Sequence, residues 1–460
     1  MATRFYNREI ETLSQSEIKA LQLKGVQDLI ERVYHKSPFY QAWFDKSGVK
    51  PGSIRSLEEF AGRVPFMTKK DLVEDQNDAP PYGRRLPLPE SEVRQIHMTS
   101  GTTGRGQEVY ALTAEDIRMG AESFGYQLWP AGFDPGDVSA MLWPVATMPG
   151  GLIAAESLRY LQSNGMLLYM FDSKMKLSLM KRFNVHSFWA TPAYLTRLSV
   201  ICDEIGLVPK RDMPRLKAIV LSTEPFPVEW VLRMQDFWGC PIYDVYGSSQ
   251  LAIGYAYTCE RGLVVDGRHG VYHLLDHVAL VEILDPATGQ PSKYGEEGEP
   301  VITTFSRQAA PVIRFRQGDR VRLLPPDACD CGRATNCWES GTIARYDDMI
   351  KMKGVNVWPA AIDDVMFSRA EIDEYAGRVF IDDQGREQVV LRFEFSQKAA
   401  DPALRQRILA ALPGELHDRT GLHIEVEEVT YGTLPRFDYK SRRWTDERIS
   451  GLQQVRFVER

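Results

Sequence analysis

Between residues 137 and 245 short apolar runs alternate with helical stretches. "VSAMLW", "GMLLYMF", "SFWAT" and "LKAIVLS" are interleaved with "SKMKLSLMKRFN" and "PAYLTRLSVICDEIG". Apolar strands joined by helices build βαβ units, which place parallel strands in one sheet with helices on its faces. This stretch commits the chain to an α/β core, and the flanking segments must attach to it.

The flanks differ in texture. The opening "LSQSEIKALQLKGVQDLIERVYHKSPFYQAWFDKSG" repeats apolar residues at helical spacing, with Ser14 ahead of Glu17 as a capping box. From 263 to 325 short alternating runs such as "YHLLDHVALVEIL" and "APVIRFR" read as an antiparallel or distorted-barrel part. After 345 come "VVLRFEF", the helical "PALRQRILAALPGELHDR" and "HIEVEEVTY", a small α+β unit. The boundary falls near "ARYDDM", giving a large N-terminal domain over 1–345 and a small C-terminal domain over 346–460.

Composition narrows the function. With 55 basic and 62 acidic residues the net charge is -7, which excludes the basic footprint of a nucleic-acid binder. No apolar run reaches the ~18 residues a membrane span needs. Arg4, Glu9, Glu11 and Lys19 interrupt the region where a signal-peptide core would lie. Six cysteines are too few for a disulfide scaffold, so a reducing, cytoplasmic location is expected.

The chemistry concentrates in "TSGTTGRG" at 99–106. The spacing is neither that of a dinucleotide fingerprint nor that of a Walker loop, and "QEVYALT" after it reads as a strand. Successive N–H groups of such a glycine-rich turn, helped by hydroxyls, make an anion nest; an ordinary tight hairpin would use the same residue types. Further segments follow in order: "YDVYGSSQ" at 243–250, "RFRQGDR" at 314–320, "ARYDDMIKMKGVNVWPAAIDDV" at 344–365 and "LPRFDYKSRR" at 434–443.

Together these resemble the landmarks of the adenylate-forming enzymes. The N-terminal helix, "SIRSLEEF", "VPFMTKKDL" and "DDMIKMKGVNVWP" make the chain most similar to the phenylacetate–CoA ligase group. The resemblance implies a large adenylating domain with a mobile C-terminal one. It also implies two half-reactions: an acid and ATP give an acyl adenylate, and coenzyme A then takes the acyl group. An aryl acid is the expected substrate. The rival reading keeps adenylation but delivers the acyl group to an amine, a hydroxyl or a carrier-protein thiol.

By that resemblance Thr99, Ser100, Gly101, Thr102, Thr103, Gly104 and Arg105 would hold the β- and γ-phosphates. Glu224, Pro225, Asp244, Tyr246, Gly247 and Ser248 would surround adenine, with Asp319 on the ribose and Arg345 near it. Lys440 would bridge the acid and the α-phosphate, Asp347 would be the hinge, and Lys351, Lys353 and Gly354 would reach the CoA channel. Trp143, Met148, Gly150, Gly151, Trp189 and Ala190 would line the acyl pocket, although tryptophans at these positions serve equally well as core. The group is often dimeric, so a homodimer is expected.

The chain departs from the family pattern at Gln250, where a glutamate usually binds Mg²⁺. Removing a unit charge beside a divalent ion costs about 4 kcal/mol at contact for an effective dielectric near 20. Either Asp244 or Glu224 takes up the metal, or ATP itself holds it. A second metal is expected from Cys329 and Cys331, which with Cys259 and His273 resemble a structural zinc site; small buried thiols in a turn are the alternative, and His269, His277 and Cys337 are rival ligands.

Overall fold

The structure is a computed structural model, and it describes residues 4–98, 108–145, 149–346, 349–353, 355–437 and 441–448. Its centre is one long mixed sheet. Across it the strands run Leu280–Leu284, Glu297–Thr303, Asp319–Leu324, Cys337–Glu339, Val271–Leu274, Ile253–Thr258, Ile242–Ser248, Ala218–Leu221, Ser187–Trp189, Val138–Met141 and Asn164–Leu167. The last five, from Ile242–Ser248 onward, pair in parallel, as the alternation of apolar runs and helices predicts. The 263–325 region adds antiparallel strands to the same sheet.

Side chains of the parallel strands alternate between two buried clusters. Ala140, Leu142, Phe188, Ala190, Ile219 and Leu221 enter one, and Met141, Trp143, Trp189 and Val220 enter the other. A period of two with both faces apolar is what a sheet covered on both sides requires. The covering helices carry the expected signals: Ser14 and Glu17 form the capping box of Gln15–Tyr34, and Gly206 closes Pro192–Ile205 in the left-handed region.

The C-terminal unit has its own core. Its four strands lie in the order Glu425–Glu428, Glu387–Phe395, Ile372–Ile381, Trp444–Asp446, with helices Pro359–Phe367 and Pro402–Thr420 packed into the same cluster. Described contacts with the large unit include polar ones and the Arg320 guanidinium over the Trp358 ring. Arg233 donates to the carbonyls of Phe367 and Ser368, and Lys398 pairs with Asp203 at 2.7 Å. No helix among the described residues is long and apolar enough to cross a membrane.

One buried ion network ties the N-terminus to the rest. The Arg333 guanidinium is fully enclosed, donating to Glu11 at 2.6 Å, to Glu260 at 2.9 Å and to the Arg4 carbonyl at 2.6 Å. Removing the cation would strand two buried carboxylates, so Arg333→Met should lower folding stability by about 3–5 kcal/mol. Chemical denaturation checks this, and a change under 1 kcal/mol would contradict the assignment of Arg333 as their common partner.

Candidate active site

The site forms where the sheet changes from parallel to antiparallel. Ile242–Ser248 pairs in parallel with Ala218–Leu221 and antiparallel with Ile253–Thr258, with a register shift between Tyr246 and Gly247. Ligands of open α/β sheets bind at the carboxyl ends of the strands, beside such a change of order. A Cβ at Gly247 would lie 2.5 Å from the Ile253 carbonyl oxygen, so only glycine lets the strands approach there.

Tyr246 is held by an aromatic wall: Tyr255, Trp338 and Tyr272 have ring centroids 5.3, 5.7 and 6.4 Å from it. Its hydroxyl donates to Asp319 and lies 3.2 Å from Gln317 Oε1. Burial, then the Asp319 carboxylate, raises the phenol well above its ordinary value, so it stays a donor. Gln317 in turn donates to Ser248 Oγ at 2.6 Å. Arg345 lies opposite Asp319 in the strand register, its Nε 3.5 Å from Asp319 Oδ1. Tyr246, Ser248, Asp319 and Arg345, far apart in sequence, are thus one constellation; Gln317 belongs to it and sequence reasoning passed over it, although it lies inside "RFRQGDR".

Glu224 lies in the turn that follows the adjacent parallel strand, Ala218–Leu221. Thr223 before it has φ 87°, a conformation an L residue adopts only under strain, and the Glu224 carboxylate accepts from Ala193 N at 3.1 Å. It also accepts from Ser441, at 2.6 Å from the backbone N and 2.7 Å from Oγ. Pro225 continues this turn. The residue next to Lys440 therefore touches the large unit at a nucleotide-site candidate.

Asp244 is spent internally. It is buried, accepting from the Tyr272 hydroxyl and from Val245 N at 2.8 Å. Burial pushes its carboxyl up to about 7 from 3.8. A raised carboxyl contributes stability below pH 4 that is lost as the pH rises through 7. Asp244→Asn should therefore gain on the parent by a few kcal/mol, on the order of the shift, between pH 5 and pH 8. Thermal unfolding at both pH values tests it, and a difference independent of pH would refute it.

Gln250 does not point its amide into open space. Its Nε2 donates to Glu108, 3.2 Å from Oε1 and 3.4 Å from Oε2. The "QEVYALT" strand is Val109–Leu112, paired antiparallel with Gln95–Met98. The register couples Met98 to Val109 and leaves residues 99–108 as the connection, well beyond the two to five residues of a tight hairpin. Thr99 through Arg105 lie outside the described residues, as do Met148, Asp347, Gly354 and Lys440.

Of the pocket residues, Trp189 and Ala190 are fully buried and Trp143 nearly so. Trp143 and Trp189 meet edge to face at 5.0 Å, with Phe124 and Phe133 against Trp189. Gly150 is exposed, while a Cβ at Gly151 would lie 2.3 Å from the Pro144 carbonyl oxygen, so its helix packs directly on the loop after Val138–Met141. Lys351 and Lys353 lie on a hairpin of the C-terminal unit, their contacts being Arg448 to the Lys351 carbonyl, and Glu387 and the His423 carbonyl to Lys353.

The cysteines converge. Cys259, His273, Cys329 and Cys331 present ligand atoms that all lie within 4.8 Å of one another, and three of the four residues are buried. Cys259 and Cys329 sulfurs are 3.7 Å apart, and Cys331 Sγ is 3.4 Å from His273 Nε2. Thr335 Oγ1, 3.3 Å from His273 Nδ1, is placed to fix the tautomer that leaves Nε2 free to ligate. Hydrogen bonds from Cys259 and Cys329, and the nearby His273, hold the Cys331 thiol below its usual range. Cys337 points elsewhere, toward the Leu324 and Pro325 carbonyls.

Comparison with known proteins agrees with this geometry. Residues 32–305 match the AMP-binding enzyme family and 354–448 match the AMP-binding enzyme C-terminal domain. The chain belongs to the AMP-binding enzyme family and, within it, to the phenylacetate–CoA ligase group. It is 30% identical to the phenylacetate-coenzyme A ligase of Thermus thermophilus over 94% of this chain and 96% of that one. Among solved structures, 2-hydroxyisobutyryl-CoA ligase in the postadenylation state with 2-HIB-AMP is 25% identical with a TM-score of 0.88, covering 97% of this chain and 93% of that one. The same ligase in the thioesterification state, at the same identity and coverage, gives 0.71.

Proposed function

We propose that this chain is an AMP-forming ligase that activates an aromatic carboxylic acid with ATP and transfers the acyl group to coenzyme A. The observation that carries it is the convergence of Tyr246, Asp319 and Arg345; the Glu224–Ser441 contact supports it, Ser441 being the sequence neighbour of Lys440. A carboxylate is already ionised at neutral pH and needs no general base to attack phosphorus. Charge neutralisation and alignment are what the protein must supply.

In this reading Asp319 accepts from the ribose hydroxyls and Arg345 lies beside them. Tyr246 and its aromatic wall, with Glu224, Pro225, Gly247 and Ser248, frame adenine, and Asp244 props the strand beneath it through Tyr272. Thr99 to Arg105 bind the outer phosphates, Lys440 draws the acid and the α-phosphate together, and Mg²⁺ supplies the remaining positive charge. The better match to a postadenylation structure than to a thioesterification one supports an arrangement suited to the first half-reaction. The C-terminal domain, residues 346–460, then turns about Asp347. That brings Lys351, Lys353 and Gly354 to the thiol, which forms the C–S bond as the bond to AMP breaks.

The aromatic acid is supported by the phenylacetate-coenzyme A ligase relatives and by the Trp143–Trp189–Phe124 cluster near Gly150 and Gly151. The enzyme is placed in the cytoplasm, as a homodimer without nucleic-acid or membrane partners. AMP release should require CoA together with phenylacetate or a benzoate, and should be at least tenfold faster with these than with small aliphatic hydroxy acids. A panel read by pyrophosphate and AMP release tests this. Adenylation without CoA dependence would favour an amide- or ester-forming synthetase, and a preference for aliphatic acids would overturn the aromatic assignment.

We also propose that Cys259, Cys329, Cys331 and His273 hold a structural Zn²⁺. Three thiolate sulfurs and one imidazole match the closed tetrahedral donor set of structural zinc, and no ligand position remains for substrate. Metal analysis should find one zinc per chain, and Cys331→Ser should lose it together with several kcal/mol of stability, of the order structural zinc supplies. A zinc-free preparation of undiminished melting temperature would reject the site.

A further inference from the structure

The residues presented to the nucleotide's Mg²⁺ are unusual. Position 250 carries an amide, Asp244 is occupied by Tyr272, and Glu224 is occupied by Ala193 and Ser441. Yet a carboxylate stands beside Gln250. Glu108 lies two residues beyond the 99–106 segment in sequence and is 1% exposed, with its side chain within hydrogen-bond distance of the Gln250 amide.

Resting on the reading of this site as one for Mg-ATP, we propose that Glu108 supplies the carboxylate for the nucleotide's divalent cation, with Gln250 as its positioning partner. The carboxylate stands beside position 250 rather than at it. Both oxygens of Glu108 are engaged. Oε1 accepts from Tyr110 at 2.7 Å and from the Gln250 amide at 3.2 Å, which also lies 3.4 Å from Oε2, and these contacts fix the carboxylate plane. Oε2 carries Lys69 at 3.0 Å, and the Lys69 side chain is 28% exposed while that of Glu108 is 1% exposed.

A monovalent ammonium on a flexible stem thus sits on the oxygen a dication would use. The lysine can swing to water, whereas the carboxylate is held by its partners and cannot follow. A divalent ion competes well for such an oxygen, because twice the charge acts at the same contact distance and carboxylate oxygen is the donor hard cations prefer. Lys69 then keeps the buried carboxylate compensated whenever the metal is absent, which avoids an uncompensated buried charge. No other described carboxylate is hydrogen-bonded to the Gln250 side chain.

The test is Mn²⁺ binding in the ATP complex, read by electron paramagnetic resonance, alongside ATP affinity with and without Mn²⁺. In the parent, Mn²⁺ should tighten ATP. Glu108→Gln should weaken Mn²⁺ by about 10- to 100-fold while metal-free ATP affinity stays within about twofold. Glu108→Gln with Gln250→Glu should restore the parent's Mn²⁺ affinity, which a merely structural role for Glu108 would not do, and Lys69→Met should tighten Mn²⁺ by removing its competitor. Should Glu108→Gln fail to fold, Gln250→Glu alone decides: a second carboxylate should tighten Mn²⁺ by about tenfold, and unchanged affinity counts against the proposal. Parent-like Mn²⁺ affinity in folded Glu108→Gln overturns the assignment of Glu108. A parent whose ATP affinity ignores Mn²⁺ overturns instead the magnesium reading on which it rests.

Discussion

The strand Ile242–Ser248 is the element on which the large unit turns, because within the central sheet it pairs in parallel on one side and antiparallel on the other. On the parallel side every strand must exit at the same end and return through a helix, so the turns after Met141, Trp189 and Leu221 open at one edge of the sheet. On the antiparallel side the strands are joined by longer connections, such as 259–270 and 285–296, and the register brings Gln317, Asp319 and Arg345 to Tyr246. The Tyr246 hydroxyl, bonded to Asp319 and facing Gln317, joins the two halves at the seam. Without that register the nucleotide candidates would be distributed over two unrelated surfaces.

The attachment of the C-terminal unit follows a different logic. Arg443 is largely enclosed in that unit against Glu374, with Asp363 at 3.6 Å and Tyr375 beneath the guanidinium, and Trp444 packs over Gly377. Residues 443–448 therefore belong to the small unit. Ser441 lies just before this anchor and touches the large unit by hydrogen bonds to one carboxylate. A few polar contacts of this kind are individually weak in water and can be broken and remade, unlike an apolar interface. A segment anchored firmly to one body and lightly to the other is what the proposed delivery of Lys440 by domain rotation requires.

Much of this was legible in the sequence, for identifiable reasons. Apolar strands between helices announce a parallel sheet because both faces must be covered, and Ser14 with Glu17 announces a helix start because the orphan N–H groups need partners. Cys329 and Cys331 with Cys259 and His273 were legible because few other roles bring thiols and an imidazole together. Gln317 was not, since a glutamine between two arginines gives no local sign that its amide will bridge Tyr255 and Ser248. Nor was the fate of Asp244: its burial depends on Tyr272, whose position across the sheet only the antiparallel register determines. Trp143 and Trp189 read equally well as pocket or core because the same flat apolar surface serves both.

The partners of the carboxylates near the seam also explain why a glutamine at 250 is tolerable. Asp244 is kept by a phenol and a backbone amide, Asp319 by Tyr246 and Arg345, and Glu224 by backbone and serine donors. A glutamate at 250 would have stood about 3 Å from Glu108, and two carboxylates at that distance cannot both stay ionised without a cation between them. The amide instead donates to Glu108, turning a repulsion into a hydrogen bond and leaving one net negative charge with Lys69 beside it. Glu108 and Gln250 therefore constrain each other: the pair works in this order or exchanged, but not with two acids at once unless metal is always present.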